Sequence, residues 1–307
     1  VQQIQVRQTQ NRIAAAGIAL AVAVVLHSAA APSPQSATIT PHATRLSSAD
    51  LEIGGDLAGI PPGTTRYLTR DDLLALPQVH YTVADDANFT GPVEVSGVSL
   101  EELAKRLGAA PESEAVIAIC TDKYRSHYTR AYLAAHHPLL VLKINNDPPV
   151  EWPKDPAGNN MGPYLISHPK FAPSFKILSH TDQAQIPWGV VRLEFRDEHK
   201  LFDAIAPRGS HSNGAANDAA VQAGLAIAQQ NCFRCHNMGT EGGQKAKISW
   251  NALAKVAAAR PDFFAAYVRN PQAANPHTQM AASPNYDDAT LAALEAYFKT
   301  FSPQSKP

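Results

Sequence analysis

Along residues 51–205, apolar and polar positions fall into short runs, and from residue 218 onward they recur at helical spacing. Thr65 to Leu68, Val93 to Val98, Ala115 to Cys120, Leu139 to Ile144 and Val190 to Phe195 are apolar or alternating runs bounded by turn residues, which predicts strands. Helix starts lie between them. Thr69-Arg-Asp-Asp72 precedes Leu73 to Leu76, and Ser99-Leu-Glu-Glu102 has capping-box spacing ahead of Leu103 to Leu107. The mixture predicts a sheet-rich α+β domain over 51–205. Beyond it the period becomes about 3.6, and Asp218 to Gln230, Ile248 to Ala259, Pro261 to Arg269 and Asp288 to Phe301 read as helices with no strand among them. In the last of these, Leu291, Leu294, Tyr297, Phe298 and Phe301 share one face, and Asp287 and Asp288 favour its N-terminus. An all-α domain over 218–303 follows.

The segments outside these two domains carry different compositions. Residues 206–217 hold the Gly/Ser/Asn-rich stretch PRGSHSNGAAN and read as a linker, and residues 32–50, rich in Pro, Ser, Thr and Ala, read as a tether. In residues 1–31, Arg7 and Arg12 precede the apolar run Ile13 to Leu26, and Ser28, Ala29, Ala30 and Ala31 follow it. That is the order of a secretory signal peptide. The alternative is an uncleaved N-terminal anchor, since Ile13 to Ala31 approaches the ~20 residues that span a bilayer. Either reading sends the rest of the chain across the membrane, to a periplasmic or exported location or to one anchored at the inner membrane.

Composition narrows the function classes. With 45% hydrophobic and 17% charged residues, the 307-residue chain has enough apolar surface to fold as globular units. Net charge is -1 and no long run of like charge occurs, so there is no footprint for nucleic acid.

Chemistry concentrates in the cysteines. Two of the three stand in Cys232-Phe-Arg-Cys235-His236. Two thiols three positions apart can each add to a vinyl group of one porphyrin, and the adjacent His then ligates the iron. The same spacing also serves half a zinc site, a redox-active dithiol or a plain disulfide. No second Cys/His pair follows for zinc, and the predicted setting is helical rather than βαβ. Haem c, one per chain and covalently held, is therefore the expected cofactor.

Residues 216–303 resemble the class I cytochromes c: an N-terminal helix, the C-x-x-C-H motif, a middle section, a Met before the last helix, and that helix, in order. The resemblance implies close crossing of the terminal helices, with Gly224 facing Tyr297 or Phe298, and Met280 as the distal iron ligand. Met238 is too near His236 to reach the opposite side, and Met161 belongs to the other domain. The alternative is that Met280 fills a core gap while His277 or water takes the sixth position. Where the family often has Pro after the distal Met, this chain has Ala281. Arg234, Lys245, Lys247, Lys255 and Arg260 are either a basic rim for a redox partner or ordinary solvated charge.

Residues 51–200 resemble the small exported domains related to the molybdopterin-binding fold of sulfite oxidases. The segments that carry this are Ala118-Ile-Cys120-Thr-Asp-Lys-Tyr124, Pro138 to Lys143 with Asn145-Asn146, and Gly162 to Pro169. The resemblance implies Cys120 as a molybdenum ligand, with Arg125, His127, Tyr128, Arg130, His136, His137 and His168 lining the pocket. The segment lacks the family's Cys-Ala-Gly-Asn-Arg type of motif. As ordinary residues, Cys120 is a small buried hydrophobe, the polar groups end strands and loops, and Trp152 and Trp188 are packing residues.

The leading expectation is a mono-haem electron carrier with redox proteins as partners, its N-terminal domain docking or positioning it. The alternative is a molybdenum-dependent oxidoreductase in which Cys120 holds the metal and the haem is the built-in acceptor. A third reading leaves the distal position open to a gas or peroxide.

Overall fold

A computed structural model describes residues 39–84, 86–113, 115–169, 185–208 and 218–301. The signal or anchor segment and the start of the tether lie outside the described residues, as do residues 209–217 of the expected linker. No helix among the described residues is long and apolar enough to cross a membrane.

The sheet-rich part contains β1 (Leu51–Gly55), β2 (Arg66–Leu68), α1 (Arg70–Leu74), β3 (Val79–Val83), β4 (Val93–Ser99), α2 (Leu100–Arg106), β5 (Ala115–Cys120), β6 (Arg125–Tyr128), α3 (Arg130–His136), β7 (Leu139–Ile144), β8 (Tyr164–Ser167), β9 (Trp188–Arg196) and α4 (Glu198–Asp203). Local chemistry sets the helix starts. Thr69 and Asp72 form a reciprocal capping box at α1, and the side chains of Ser99, Thr129 and Asp197 accept a backbone N–H at the starts of α2, α3 and α4. The sheet runs β2-β1-β9-β8-β7-β4-β3, with β5 on β9 and β6 on β5. β9 is the hub. Val190 pairs with Cys120 on one edge and Tyr164 on the other, and Arg192 pairs with Ile119 and Glu52 in the same way. One edge of β9 is thus taken by β5, and the other is divided between β8 and β1.

β5 explains its own sequence. Its run AVIAIC is apolar at every position because both faces are covered, as a strand with two buried faces requires. Val116, Ala118 and Cys120 belong to the core of the sheet, with Leu51, Leu68, Leu103, Leu140 and Phe195. Ala115 and Ile117 point the other way. They join Leu201 and Ile205 in a second core whose other members come from the helical part: Val221, Phe233, Trp250, Phe264, Leu294, Tyr297 and Phe298. The described residues accordingly belong to one compact unit, the sheet-rich and helical parts sharing that second core.

The helical part contains α5 (Ala219–Ile227), α6 (Trp250–Ala259), α7 (Pro261–Arg269), α8 (Pro271–Ala274) and α9 (Asp288–Lys299). It is not free of strand. β10 (Asn237–Met238) and β11 (Glu241–Gly242) form a small hairpin just after the C-x-x-C-H motif, too short for any hydrophobic period to register. α5 crosses α9 closely at Gly224, where an added Cβ would lie 2.0 Å from the Ala293 carbonyl oxygen and 2.7 Å from Tyr297 Cβ. Only a residue without a side chain permits that approach.

The expected tether over residues 32–50 is corrected for residues 39–50. Ile39 N–H donates to the Arg106 carbonyl at 3.0 Å, and His42 exchanges backbone hydrogen bonds with Tyr67 at 2.8 and 3.0 Å. The buried Asp50 carboxylate accepts the N–H groups of Leu46 and Ser47. Composition argued for a loose segment because few of these side chains are apolar. The attachment comes instead from backbone pairing with β2, which side-chain identity does not report.

Candidate functional site

α5 ends in a wide turn, Ala228–Cys232, closed by Phe233 N–H donating to the Ala228 carbonyl at 2.9 Å. His236 N–H then donates to the Cys232 carbonyl at 3.0 Å, so the motif itself is one helical turn. Residues three apart on such a turn share a face. Cys232 and Cys235 therefore lie on one side, both half-buried, while Phe233 turns into the core, fully buried, stacked on His127 at 5.0 Å and edge-on to Trp250 at 5.4 Å. Neither cysteine is in a disulfide. Burial pushes the Cys232 thiol up to about 12 and raises Cys235, each opposed in part by the Arg234 guanidinium. That is the reverse of the lowered thiol a redox-active dithiol uses to attack.

His236 is buried, and its Nδ1 lies 2.6 Å from the Ile248 carbonyl oxygen. A carbonyl can only accept, so Nδ1 carries the hydrogen and Nε2 keeps its lone pair. Burial lowers the imidazole pKa, and Arg234 adds to that against the Ile248 hydrogen bond, which favours the neutral ring. The backbone between Cys235 and Ile248 is held by Ala246 N–H on the Cys235 carbonyl at 3.0 Å. Gly243 passes so near the Arg234 carbonyl that a Cβ would sit 1.7 Å from its oxygen.

Met280 is half-buried and packs against the same hydrophobic core as Cys232, Leu253 and Val256. Its N–H donates to Thr278 Oγ1 at 3.3 Å, and its carbonyl accepts from Gln272 Nε2 at 2.9 Å. Tyr267 Oη donates to Thr278 Oγ1 at 3.2 Å. Side chains of α7 and α8 thus hold a loop that has Ala281 in place of proline. His277 is exposed on the same loop.

The five basic candidates separate. The Arg234 guanidinium lies over the Tyr124 ring at 5.6 Å, and Lys245 is paired with Asp122 at 2.6 Å, so both face the sheet-rich part. Lys247, Lys255 and Arg260 are exposed.

Cys120 lies within the sheet core, 5% exposed, on the same face of β5 as Val116 and Ala118. Burial, with Asp122 adding to it, raises its thiol pKa strongly, so the side chain is a neutral thiol. Of the polar residues expected around it, Tyr128 shares its core, and the others are engaged with other partners. His137 pairs with Glu101 at 2.7 Å, and Arg130 reaches the Pro111 carbonyl at 2.7 Å. Tyr128, His136 and His168 form a buried ring cluster with Tyr132, the Tyr132 and His136 centroids 4.2 Å apart. Arg125 N–H donates to the Arg234 carbonyl, and His127 stacks on Phe233.

Sequence reasoning missed the junction altogether. Besides Arg125, Gln244 N–H donates to the Lys123 carbonyl at 3.0 Å, Arg196 pairs with Glu241 at 3.0 Å, and Tyr297 Oη donates to the Ile205 carbonyl at 2.6 Å. Backbone carbonyls carry much of it, and no motif marks them; the same is true of the Ile248 oxygen under His236, within the helical part. The glutamines at 229 and 230, just before Cys232, were the one available signal of polar groups at a helix end.

No protein-family model matches the chain, and no curated protein matches it. Among solved structures, the chain is similar to the sulfane dehydrogenase SoxCD from Paracoccus pantotrophus, with 18% identity and a TM-score of 0.35. The match covers 51% of this chain and 40% of that one, so this chain spans less than half of its neighbour's length. Described by its own elements, the chain is a sheet-rich α+β fold joined to a group of helices.

Proposed function

We propose that this chain is an exported electron-transfer protein for one c-type haem, which Cys232 and Cys235 would hold covalently and whose iron His236 and Met280 would bind. The observation that carries the reading is the His236 ring. Its Nδ1 is committed to the Ile248 carbonyl at 2.6 Å, which holds the ring in one orientation and leaves Nε2 as a ligand, beside two unpaired thiols on one face of the same turn. The donor set suits the group: two thiols, a neutral imidazole and a thioether beside half-buried apolar side chains.

Cys232 and Cys235 would hold the haem through thioethers, which addition of each S–H across one vinyl group would supply without an oxidant. When bound, the haem supplies one-electron cycling between ferric and ferrous iron. The chain's residues fix its position. Phe233, locked between His127 and Trp250, anchors the turn that carries both cysteines, and the loop hydrogen bonds of Thr278 and Gln272 hold Met280. A thioether ligand favours the ferrous state and raises the reduction potential. The sheet-rich part acts as a positioning body for the haem segment, and the partners are redox proteins. The apolar run Ile13 to Leu26 supports export to the periplasm, by cleavage or as an inner-membrane anchor.

The test is a pigment and metal inventory of full-length protein made in a host competent for haem attachment. The expected result is iron near one per chain, pigment retained by the denatured chain in acidified organic solvent, and loss of the weak sulfur-to-iron absorption band in Met280→Ala. Extractable pigment, or none, overturns the proposal. Stoichiometric molybdenum lost in Cys120→Ser would restore the enzyme reading.

A further inference from the structure

Where the sheet-rich part meets the turn before Cys232, a cavity of about 30 Å3 is lined by His127 of β6, Tyr132 of α3, Gln185, Phe202 of α4 and Gln230 of the turn. Each of four of these lining residues has a buried polar atom without a hydrogen-bond partner: His127 Nε2, Tyr132 Oη, Gln185 Oε1 and Gln230 Oε1. His127, Tyr132 and Gln185 are each more than nine-tenths buried. Gln185 cannot turn its amide to relieve this. Its Nε2 already donates to the His127 carbonyl at 3.2 Å, and its backbone carbonyl accepts from Tyr128 Oη at 3.0 Å, so Oε1 is left facing inward.

Four unpaired polar atoms together would cost a large part of a domain's net stability. A phenol and an imidazole could donate to two amide oxygens, but in this structure none of the four pairs with another protein group. What satisfies the set is a small ligand that donates to two oxygens and exchanges hydrogen bonds with a phenol and an imidazole. Water has that valence. A volume of about 30 Å3 exceeds the ~10–15 Å3 one water needs, and the polar partners number at least the two to four such waters use.

We propose that this cavity is a hydration site whose one or two ordered waters bridge His127, Tyr132 and Gln185 to Gln230, two residues before Cys232. The site is therefore a polar joint between the sheet-rich part and the turn carrying the cysteines. It does not depend on a haem being present.

High-resolution crystal structures and amide hydrogen exchange of the full-length protein, crystallised without ammonium salts, test it. The expected result is solvent density within about 3.2 Å of at least three of the four atoms. Tyr132→Phe and Gln230→Met keep the packing and remove one partner each. Both are expected to lose or weaken that density and to lower exchange protection across Ala228–Cys232 by about tenfold. Closed-up side chains with direct contacts and no density overturn the proposal, as does unchanged protection in both variants. Stabilisation by ammonium chloride beyond that given by equal sodium chloride would overturn it in favour of a cation.

Discussion

His127 makes a prediction that can be worked through from its surroundings. The ring is 4% exposed and stacked on Phe233. Burial, with the nearby guanidinium groups of Arg125 and Arg196, pushes its pKa down to about 3. An imidazole in the unfolded chain titrates near 6.5. Between these values the unfolded chain binds a proton that the folded chain refuses, so stability rises with pH across the window. It is fully present above about pH 6.5 and drains away as pH falls toward 3. At ~1.4 kcal/mol per unit, the loss is about 2 kcal/mol at pH 5 and roughly 3 at pH 4, set against a typical total of ~5–15 kcal/mol. The control is His127→Phe, which keeps a ring against Phe233 and Phe202 and cannot titrate. Urea unfolding of both proteins from pH 8 to pH 4.5 should give curves that converge or cross as pH falls, the wild type losing about 2.7 kcal/mol more than the variant. The comparison cancels every other titrating group, His236 included. Parallel curves over the whole range would refute the claim that His127 folds as a buried neutral ring.

Three further substitutions probe the framework. Gly224→Ala places a Cβ 2.0 Å from the Ala293 carbonyl oxygen and forces α5 and α9 apart; despite alanine's better helix propensity, urea unfolding should show a loss of at least ~3 kcal/mol. Tyr297→Phe removes the 2.6 Å hydrogen bond to the Ile205 carbonyl that ties α9 to the end of the sheet-rich part, and should cost about 1–2 kcal/mol by the same measurement, with little change in far-UV circular dichroism. Cys120→Ser puts a hydroxyl into the sheet core, for which we expect a loss of ~1–3 kcal/mol and an unaltered visible spectrum; an altered spectrum or altered metal content with stability intact would give Cys120 a ligand's role.

What could be read in the sequence was whatever a periodic pattern or a short chemical motif encodes. β5 and β7 emerged with their observed limits, because continuous apolar runs of strand length between turn residues have few other uses. α7 did as well, opening on a proline, which suits a first helical turn. β6 was invisible. Its residues Arg125, Ser126, His127 and Tyr128 are polar or amphipathic by type, and tertiary packing buries His127 against Phe233 of the helical part and Tyr128 in the sheet core. β1, with two glycines in five residues, carries too little side-chain signal, and Gly55 is needed because a Cβ there would sit 2.0 Å from the Phe195 carbonyl oxygen. At the candidate site the thiols and imidazole were legible from their spacing. The Ile248 carbonyl that orients the imidazole was not, since any residue at that position would offer the same atom.

The two faces of β5 bear on what the sheet-rich part is for. A module that docks a carrier to its partners and moves independently keeps a solvated face of its own. Here Ala115 and Ile117 are fully buried on the face turned to the helical part, and both belong to the core that holds Phe233. Phe233 sits between the two cysteines, so the wall behind the motif is built from strands β5 and β6 as much as from helices. Separating the parts would expose Phe233, worth ~1.5–3 kcal/mol of burial for that side chain alone, along with the ion pair of Arg196 and the hydrogen bonds of Arg125, Gln244 and Tyr297. The two parts therefore stabilise each other through the very turn that bears the reactive residues. A group held on Cys232 and Cys235 would take its orientation from the sheet, which supports the proposal that the sheet-rich part positions it.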